Sequence, residues 1–422
     1  MTDTAPRTGS KACPVHFDND TPEHARQWAD TYRKLREDSP RAWSETHGGF
    51  WVATELADIV GLAQRSDAFS VHKEFDPDTG EVRGGILIPP VKGFRGIPNE
   101  ADSPEWDGIR GFVNRRFSPR SVELRREKAQ RLAAGLIDLV IERGKFDIVD
   151  DLTSPLPALV TMDVFGFPLE EWRSFSDPFH VMAYSSPSTP GFAERTGVFL
   201  DFFFRRVDEE VALRRKEPQD DFLTHLAIGT IDGVPLSHEQ IHDLAFNIMA
   251  GGVDTTTSLT SNTLLYLARN PEKRQQLIDN PGLMPLACEE FVRFFTPVQA
   301  LARNARDDVE VNGWQFDKGD RVLLAYAAGN RDPAAFDEPD EVKLDRFPNK
   351  HIGFGAGMHR CLGSFLARLM FQVMVSEVLT RMPDYRVIEE EAEPYHTIAK
   401  VNGWIRIPAT FTPGPKVGAV IG

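Results

Sequence analysis

Apolar residues recur along this chain mainly at intervals of three and four, and only in short stretches at intervals of two. That pattern predicts a mainly α protein with a minor β part. From about Trp106 to Pro218 helical periodicity dominates, broken at Pro119, Pro155, Pro168 and Pro187-Ser188-Thr189-Pro190. The clearest element opens at Ser237, where Ser237-x-x-Gln240 is a capping box and Ile241, Leu244, Ala245, Ile248, Met249, Gly252 and Val253 follow at helical spacing. Nothing interrupts it before Asn270-Pro271, so this helix would be about 50 Å long at roughly 1.5 Å per residue, enough to cross a whole domain. Another helix is expected over Pro285–Phe295, and a last long one after Cys361, through Leu362–Val375. Strand-like pieces are Gly49–Ala53, Val309–Val311, Val322–Leu324 and Trp404–Ile407, with irregular chain from Asn330 to Gly353. Gly80 to Asn99 mixes Gly and Pro with Ile86, Leu87, Ile88 and Val91, the composition of a loop that covers a pocket with an apolar side. No repeat or low-complexity linker divides the chain. Met1–Thr21 reads as a flexible lead-in, and 22–422 as a single domain.

Composition narrows the class. The 422 residues are 41% hydrophobic and 26% charged, ordinary for a globular protein large enough to enclose a cofactor. A net charge of -15 disfavours nucleic acid and anionic membrane surfaces. Cys13, Cys288 and Cys361 are too few for a disulfide framework and indicate a reducing compartment. The polar stretch Met1–Asp20 lacks a signal-peptide layout, and no apolar run is long enough to cross a bilayer. The expectation is a cytoplasmic protein with no membrane anchor.

The segment with most chemical content is Phe354-Gly355-Ala356-Gly357-Met358-His359-Arg360-Cys361-Leu362-Gly363. Its glycines permit tight turns and close approach to a flat ligand. Cys361 stands where a helix is expected to begin, and amides at a helix N-terminus stabilise a thiolate and lower its pKa. A buried, inert thiol is the alternative, and that reading is the one given to Cys13 and Cys288.

At every fixed position this segment matches the FGxGxHxCxG pattern of the cytochrome P450 family, which the chain resembles over nearly its whole length. The resemblance implies haem b (iron protoporphyrin IX), with Cys361 as the axial ligand of its iron and Phe354, Gly355, His359 and Gly363 against the cofactor. Glu290-Phe291-Val292-Arg293 fits the family's ExxR, with Arg346 in Arg346-Phe347-Pro348-Asn349-x-His351 as third partner. The implied role is a buried ionic network that fixes geometry more than it adds stability. Gly251-Gly252-Val253-Asp254-Thr255-Thr256 resembles the family's oxygen-activation segment. Mid-helix glycines cost stability, and a local widening of the helix for dioxygen would explain them. Thr255 would then donate a hydrogen bond and Asp254 relay protons from solvent, while the thiolate pushes electron density from the other side. From the residues alone, a threonine bonding back to a carbonyl one turn earlier is an equal expectation. The haem propionates would be held by Trp106, Arg110, Arg303 and His359. Many bacterial relatives have histidine where Trp106 stands, although an indole N–H can also donate to a carboxylate. Simple packing stays open for Trp106.

Segments expected over the haem are Gly84–Val91 with Ile86 and Leu87, Val181–Pro190, the helix face of Asn247, Ala250 and Gly251, Pro297–Leu301 with Val298 and Gln299, and His396–Ala399 with Ile398. Most are apolar, which fits a terpenoid, steroid, fatty acyl or macrolide-like substrate. Asn247 or Gln299 would hydrogen-bond a substrate oxygen, unless neighbouring backbone satisfies both. The chain has no reductase-like segment, so electrons would come from NAD(P)H through a reductase and an iron–sulfur ferredoxin, docked on Arg110, Arg115, Arg116, Arg360 and Arg368. The implied reaction inserts one oxygen atom of dioxygen into an apolar substrate. The alternatives are a hydrogen-peroxide-dependent peroxygenase, which the Asp254-Thr255 pair argues against, and a non-enzymatic haem sensor or carrier. Zinc at His359-x-Cys361 lacks companion ligands.

Overall fold

A computed structural model of the chain describes residues 14–76, 78–79, 81–91, 95–186 and 189–421. Its helices in chain order are α1 (Pro22–Asp38), α2 (Leu56–Gln64), α3 (Glu105–Asn114), α4 (Pro119–Glu123), α5 (Arg126–Val140), α6 (Pro155–Phe165) and α7 (Trp172–Tyr184). They continue with α8 (Phe192–Lys216), α9 (Phe222–Ile228), α10 (His238–Arg269), α11 (Pro271–Asp279), α12 (Met284–Phe295), α13 (Tyr326–Gly329) and α14 (Ser364–Arg381). Local chemistry sets many of the starts. Thr21, Ser118, Asp221 and Ser237 each accept a hydrogen bond from a backbone N–H in the first turn, and Ser237 and Gln240 form the expected capping box. Pro119, Pro155 and Pro271 occupy first turns, where a missing N–H costs nothing, so the breaks expected at Pro119 and Pro155 are helix beginnings.

The 32-residue α10 runs through the middle of the helical part, in contact with α6, α7, α12 and α14. Its second half is buried yet rich in hydroxyls. Thr257, Thr260 and Thr263 satisfy themselves by donating to the carbonyls of Val253, Thr256 and Leu259 one turn back. The glycine pair splits in function. Gly251 has nothing near the position of a Cβ, whereas a Cβ on Gly252 would sit 2.7 Å from Thr161 Oγ1 of α6. The helix is continuous here, so the expected local widening is corrected: Gly252 permits close approach of two helices, and Gly251 borders open space.

The β part centres on a mixed sheet with strands in the order 14–15, 41–44, 50–53, 321–324, 301–305 and 69–70, beside smaller sheets that include 309–311 and 404–406. Val52 lies opposite Leu323 in parallel register, and Arg303 opposite Val322 in antiparallel register. Side chains alternate across it. One face buries Trp43, Trp51, Trp314 and Phe316, and the other Phe17, Tyr32, Phe50 and Ala302. The flexible lead-in expected through Thr21 is therefore corrected for residues 14–21. Pro14 and Val15 pair with Trp43 and Ser44, Phe17 is buried, and Asn19 donates to the Ile88 carbonyl. Hydrophobic burial and strand pairing outweigh the polar composition there. Cys13, Gly80, Pro187 and Ser188 lie outside the described residues. Among the described residues no helix is long and apolar enough to cross a membrane.

Alanine for glycine inside an ordinary helix gains about 1 kcal/mol, but overpacking a core costs about 1–3 kcal/mol. Gly252→Ala is expected to lower the urea midpoint of the parent protein. In a Thr161→Ala background, which removes the opposing oxygen, the same change should raise it.

Candidate active site

The loop before α14 is held from behind. Asn330 takes the Ile352 N–H at 2.8 Å and donates to Thr296 at the end of α12. Gly355 N–H then closes on the Ile352 carbonyl at 2.8 Å, and Cys361 N–H on the Phe354 carbonyl at 2.9 Å. Gly355 and Gly357 both adopt left-handed backbone (φ 74° and 71°), and a Cβ at Gly357 would strike the Ala63 carbonyl at 2.2 Å. Glycine is required at that turn. The loop brings Phe354, Gly355, His359, Cys361 and Gly363 to the wall of one cavity. Cys361 is exposed only in the sense that it borders this interior space. Burial pushes its thiol pKa up, against the opposing pull of the Gly363 N–H and the guanidinium groups of Arg110, Arg368 and Arg360. The expected lowering by helix amides is thus corrected: α14 begins at Ser364, and desolvation is the larger effect. Cys288 is fully buried with its thiol pKa pushed far up, the inert behaviour expected of it.

Behind the loop, Glu290 and Arg293 have no solvent exposure. Arg293 donates from Nε and one terminal nitrogen to the two Glu290 oxygens, at 2.8 Å each, and to the carbonyls of Asn330, Pro339 and Glu341. Arg346 Nε donates to Glu290 at 2.9 Å and its other nitrogens to the carbonyls of Asp337, Glu338 and Glu341. The network read from the sequence forms, with Asn349 and the Lys343 N–H as further donors to Glu290. A neighbouring pair was not legible: Arg368 lies over the Phe354 ring and makes a two-point contact with Glu289, which also meets His351. Burial would raise the Glu289 pKa, but the hydrogen bonds from Arg368 and His351 bring it down to about 2.

Across the cavity from Cys361 stands α10. Asn247, Ile248, Gly251, Gly252, Thr255 and Thr256 line the space. Thr255 donates to the Gly251 carbonyl at 2.9 Å. Asp254 does not border the cavity. It is 3% exposed, and its carboxylate meets His180 Nδ1 of α7 at 2.7 Å and accepts from the Tyr395 hydroxyl at 2.8 and 2.9 Å. Burial pulls the His180 pKa down, but the Asp254 charge and hydrogen bond prevail and raise it above the ordinary imidazole value. Burial and the same carboxylate push Tyr395 far up. Neither partner carried a sequence signal, since they stand 74 and 141 positions from Asp254.

Arg303 and His359 line the cavity; Trp106 and Arg110 do not, but stand behind His359. Buried Trp106 Nε1 and His359 Nδ1 find no hydrogen-bond partner among the described residues, and their rings meet edge to face at 5.7 Å. Arg303 is 4% exposed and donates to the Ala302 carbonyl, while Arg110 reaches the Arg360 carbonyl. Burial and the Arg303 charge hold the His359 imidazole down at about 4, so it is neutral at pH 7. Buried donors left open are costly. This set suits a dianion at the rim of a flat ligand, with a sulfur at its centre: the residues present fit a haem.

Several pocket expectations are corrected. Ile86, Asn247, Gly251 and Val298 line the cavity, but Leu87, Ala250, Gln299 and Ile398 do not. Leu87 faces a separate small hollow with Ile88 and Lys400, and Ala250 packs on the main core from the flank of α10. Gln299 is 2% exposed and turns back to cap α12 through the Phe295 and Thr296 carbonyls. Ile398 packs with Ala183, Tyr395 and Val401. Asn247 itself donates to the Ile97 carbonyl at 2.9 Å. The basic face also shrinks, because Arg110 turns inward, Arg116 pairs with Asp220 and Arg368 with Glu289. Arg115 and Arg360 remain exposed.

Comparison with known proteins agrees with this geometry. The family profile described as Cytochrome P450 matches residues 192–394. The steroid C26-monooxygenase of Mycobacterium tuberculosis is 34% identical over 367 residues, covering 86% of this chain and 98% of that enzyme. Cytochrome P450-terp of a Pseudomonas species is 29% identical over 406 residues, covering 90% and 92%. Among solved structures, CYP109E1 from Bacillus megaterium in complex with testosterone superposes with a TM-score of 0.82 at 25% identity, covering 93% of this chain and all of that one.

The Glu289 contacts make a stability prediction. A carboxyl whose folded pKa is lowered contributes stability that is present above its unfolded value, about 4.5, and is lost as pH falls towards about 2. Glu289→Gln should therefore cost stability at neutral pH and flatten the loss on acidification, seen as urea midpoints of parent and variant that converge between roughly pH 5 and pH 2.

Proposed function

This chain belongs to the cytochrome P450 family, and from that premise we propose that its cavity is a haem-thiolate site in which an apolar organic substrate is oxygenated under α10. The enzyme is an oxidoreductase of the monooxygenase type, like its named relatives, and the family holds a haem group. The observation that carries the proposal is that Cys361 and Thr255 line one cavity together with Arg303 and His359, with Trp106 packed against His359. Haem b bound there would supply the redox chemistry for oxygenating a C–H or C=C bond with dioxygen.

The chain's own residues do the rest. Cys361 would hold the iron as a thiolate, although burial alone favours its neutral thiol. The resulting anion is supported by the Gly363 N–H and the arginines around it. Trp106, His359, Arg303 and Arg110 hold the propionates, Trp106 and His359 through donors that otherwise have no use. Gly355, Phe354 and Gly363 form the floor, and the Glu290–Arg293–Arg346 network keeps it in register. Thr255 engages its hydroxyl proton with the Gly251 carbonyl, so its lone pairs face the cavity and can accept a proton for delivery. Asp254 relays the incoming proton as a carboxylate that accepts from both partners. His180, with its raised pKa, is the donor that reloads it at 2.7 Å, and Tyr395 positions the carboxylate between them.

The lining by Ile86, Ile248, Val298 and Leu301 suits a terpenoid, steroid, fatty acyl or macrolide-like compound. The steroid enzyme and the testosterone complex among the similar proteins support the steroid class first. The Asn247 and Asn99 amides, 3.5 Å apart at the cavity wall, are the groups placed to meet a substrate oxygen. Electrons come from NAD(P)H through an iron–sulfur ferredoxin and its reductase, docking near Arg115 and Arg360.

Reduced protein with carbon monoxide should give the family's red-shifted Soret band, which Cys361→Ser should abolish. A titration with steroids, terpenoids, fatty acids and macrolides should change the haem spectrum for at least one class. A reduced parent protein without the red-shifted band overturns the thiolate, and product-free consumption of NAD(P)H with every class overturns the monooxygenase reading. Asp254→Asn should lower product formation by roughly 100-fold, the lower end of the range for removing a general acid, with oxygen consumption less affected. In the parent, product formation should be retained below the raised His180 pKa and decline as pH rises through it. His180→Gln should lose that alkaline limb while Tyr395→Phe keeps it, measured as kcat against pH.

A further inference from the structure

Far from the cavity, α8 crosses the beginning of α10, and three metal-binding side chains meet at the crossing. His238 and His242 lie one turn apart on α10, and Asp208 faces them from α8. Both imidazole Nε2 atoms stand 2.8 Å from the same Asp208 oxygen, Oδ1. One donor atom from each residue lies within 4.8 Å of the other two. We propose that Asp208, His238 and His242 form a zinc-binding site, a function independent of the haem chemistry.

The chemistry of the set selects the ion. Two imidazole nitrogens and one carboxylate oxygen suit zinc, and disfavour calcium and magnesium, which take oxygen ligands. Three protein ligands leave a fourth tetrahedral position for water. Zinc holds such donors at about 2.0–2.2 Å, which separates them from one another by roughly 3–3.5 Å. The observed 2.8 Å contacts need open only slightly to admit the ion between the rings and the carboxylate.

The site is also built rather than accidental. The Ser237–Gln240 capping box fixes the turn that carries His238. The His242 ring stacks on Phe204 at 4.4 Å with an interplanar angle of 6°, and its side chain is 15% exposed. The His238 ring lies 4.0 Å from that of His242 and opens to solvent, which gives the ion a way in. The nearby cations Arg205 and Arg206 are engaged, by Glu209 and by Glu171, Glu209 and Glu210. The local field is left to the carboxylate. A bound ion would fasten α8 to α10 where Phe203, Phe204 and Phe246 already pack.

Haem-loaded enzyme stripped with EDTA should take up one zinc ion per chain in a calorimetric titration with zinc chloride, and its melting temperature should rise as zinc is added. Loss of even an outer partner of a metal ligand costs roughly 10–100-fold in affinity, so Asp208→Asn, His238→Ala and His242→Ala should each weaken zinc by at least about tenfold. His16→Ala, an exposed histidine elsewhere, should bind as the parent does. The carbon monoxide spectrum of the three variants should match the parent, which separates failure of this site from failure of the haem. Absence of zinc uptake, or uptake that all three variants retain, overturns the proposal and leaves an ion pair only.

Discussion

The cysteine loop depends on a pair of charges that never meet water. Glu290 and Arg293 are wholly buried, and their own charged atoms are engaged by each other and by Arg346, Asn349 or backbone. Removing two ions from water is expensive, and such a pair gives back that cost only when its hydrogen bonding is complete. The return is geometric. The carbonyls that Arg293 and Arg346 gather belong to an otherwise irregular stretch, from Asn330 to Glu341, which has no helix or strand to shape it. Asn330 passes that order forward to Ile352, and so to the turn that presents Cys361. An apolar replacement could match the stability but could not collect carbonyls.

The site divides into a rigid half and a half assembled from distant pieces. The sulfur side is one continuous segment braced by α12. The opposite side draws Thr255 from α10, His180 from α7 and Tyr395 from near the end of the chain. Residues 254 and 255 are neighbours, so they point about 100° apart around the helix axis. The threonine borders the cavity and the aspartate does not. The acid is left to the helix flank, where it requires partners of its own.

That division explains what could be read from the order of residues. The cysteine loop, the Glu290–Arg293 pair and the Ser237 cap are local patterns, and local patterns survive as spacing. The long central helix was legible for the same reason, from cap to Asn270-Pro271. His180 and Tyr395 were not, because nothing in a sequence records that positions 180, 254 and 395 converge. Gln299 misled for the opposite reason: its place beside Arg303 suggested the cavity, but the C-terminal carbonyls of α12 needed its amide more. Residues 14–21 look polar and loose, yet a single pairing with Trp43 and Ser44 and the burial of Phe17 order them.

The Gly252–Thr161 contact has a consequence for how the helices move. Only the Thr161 side chain stands between the two helices at this point, so α10 has little room to roll toward α6. Thr255 rides on the turn just beyond that point. Its distance from the cysteine wall is therefore set like a bearing against a fixed rail, and any adaptation to substrates of different bulk is left to other walls, such as the chain around Ile86 and Pro98.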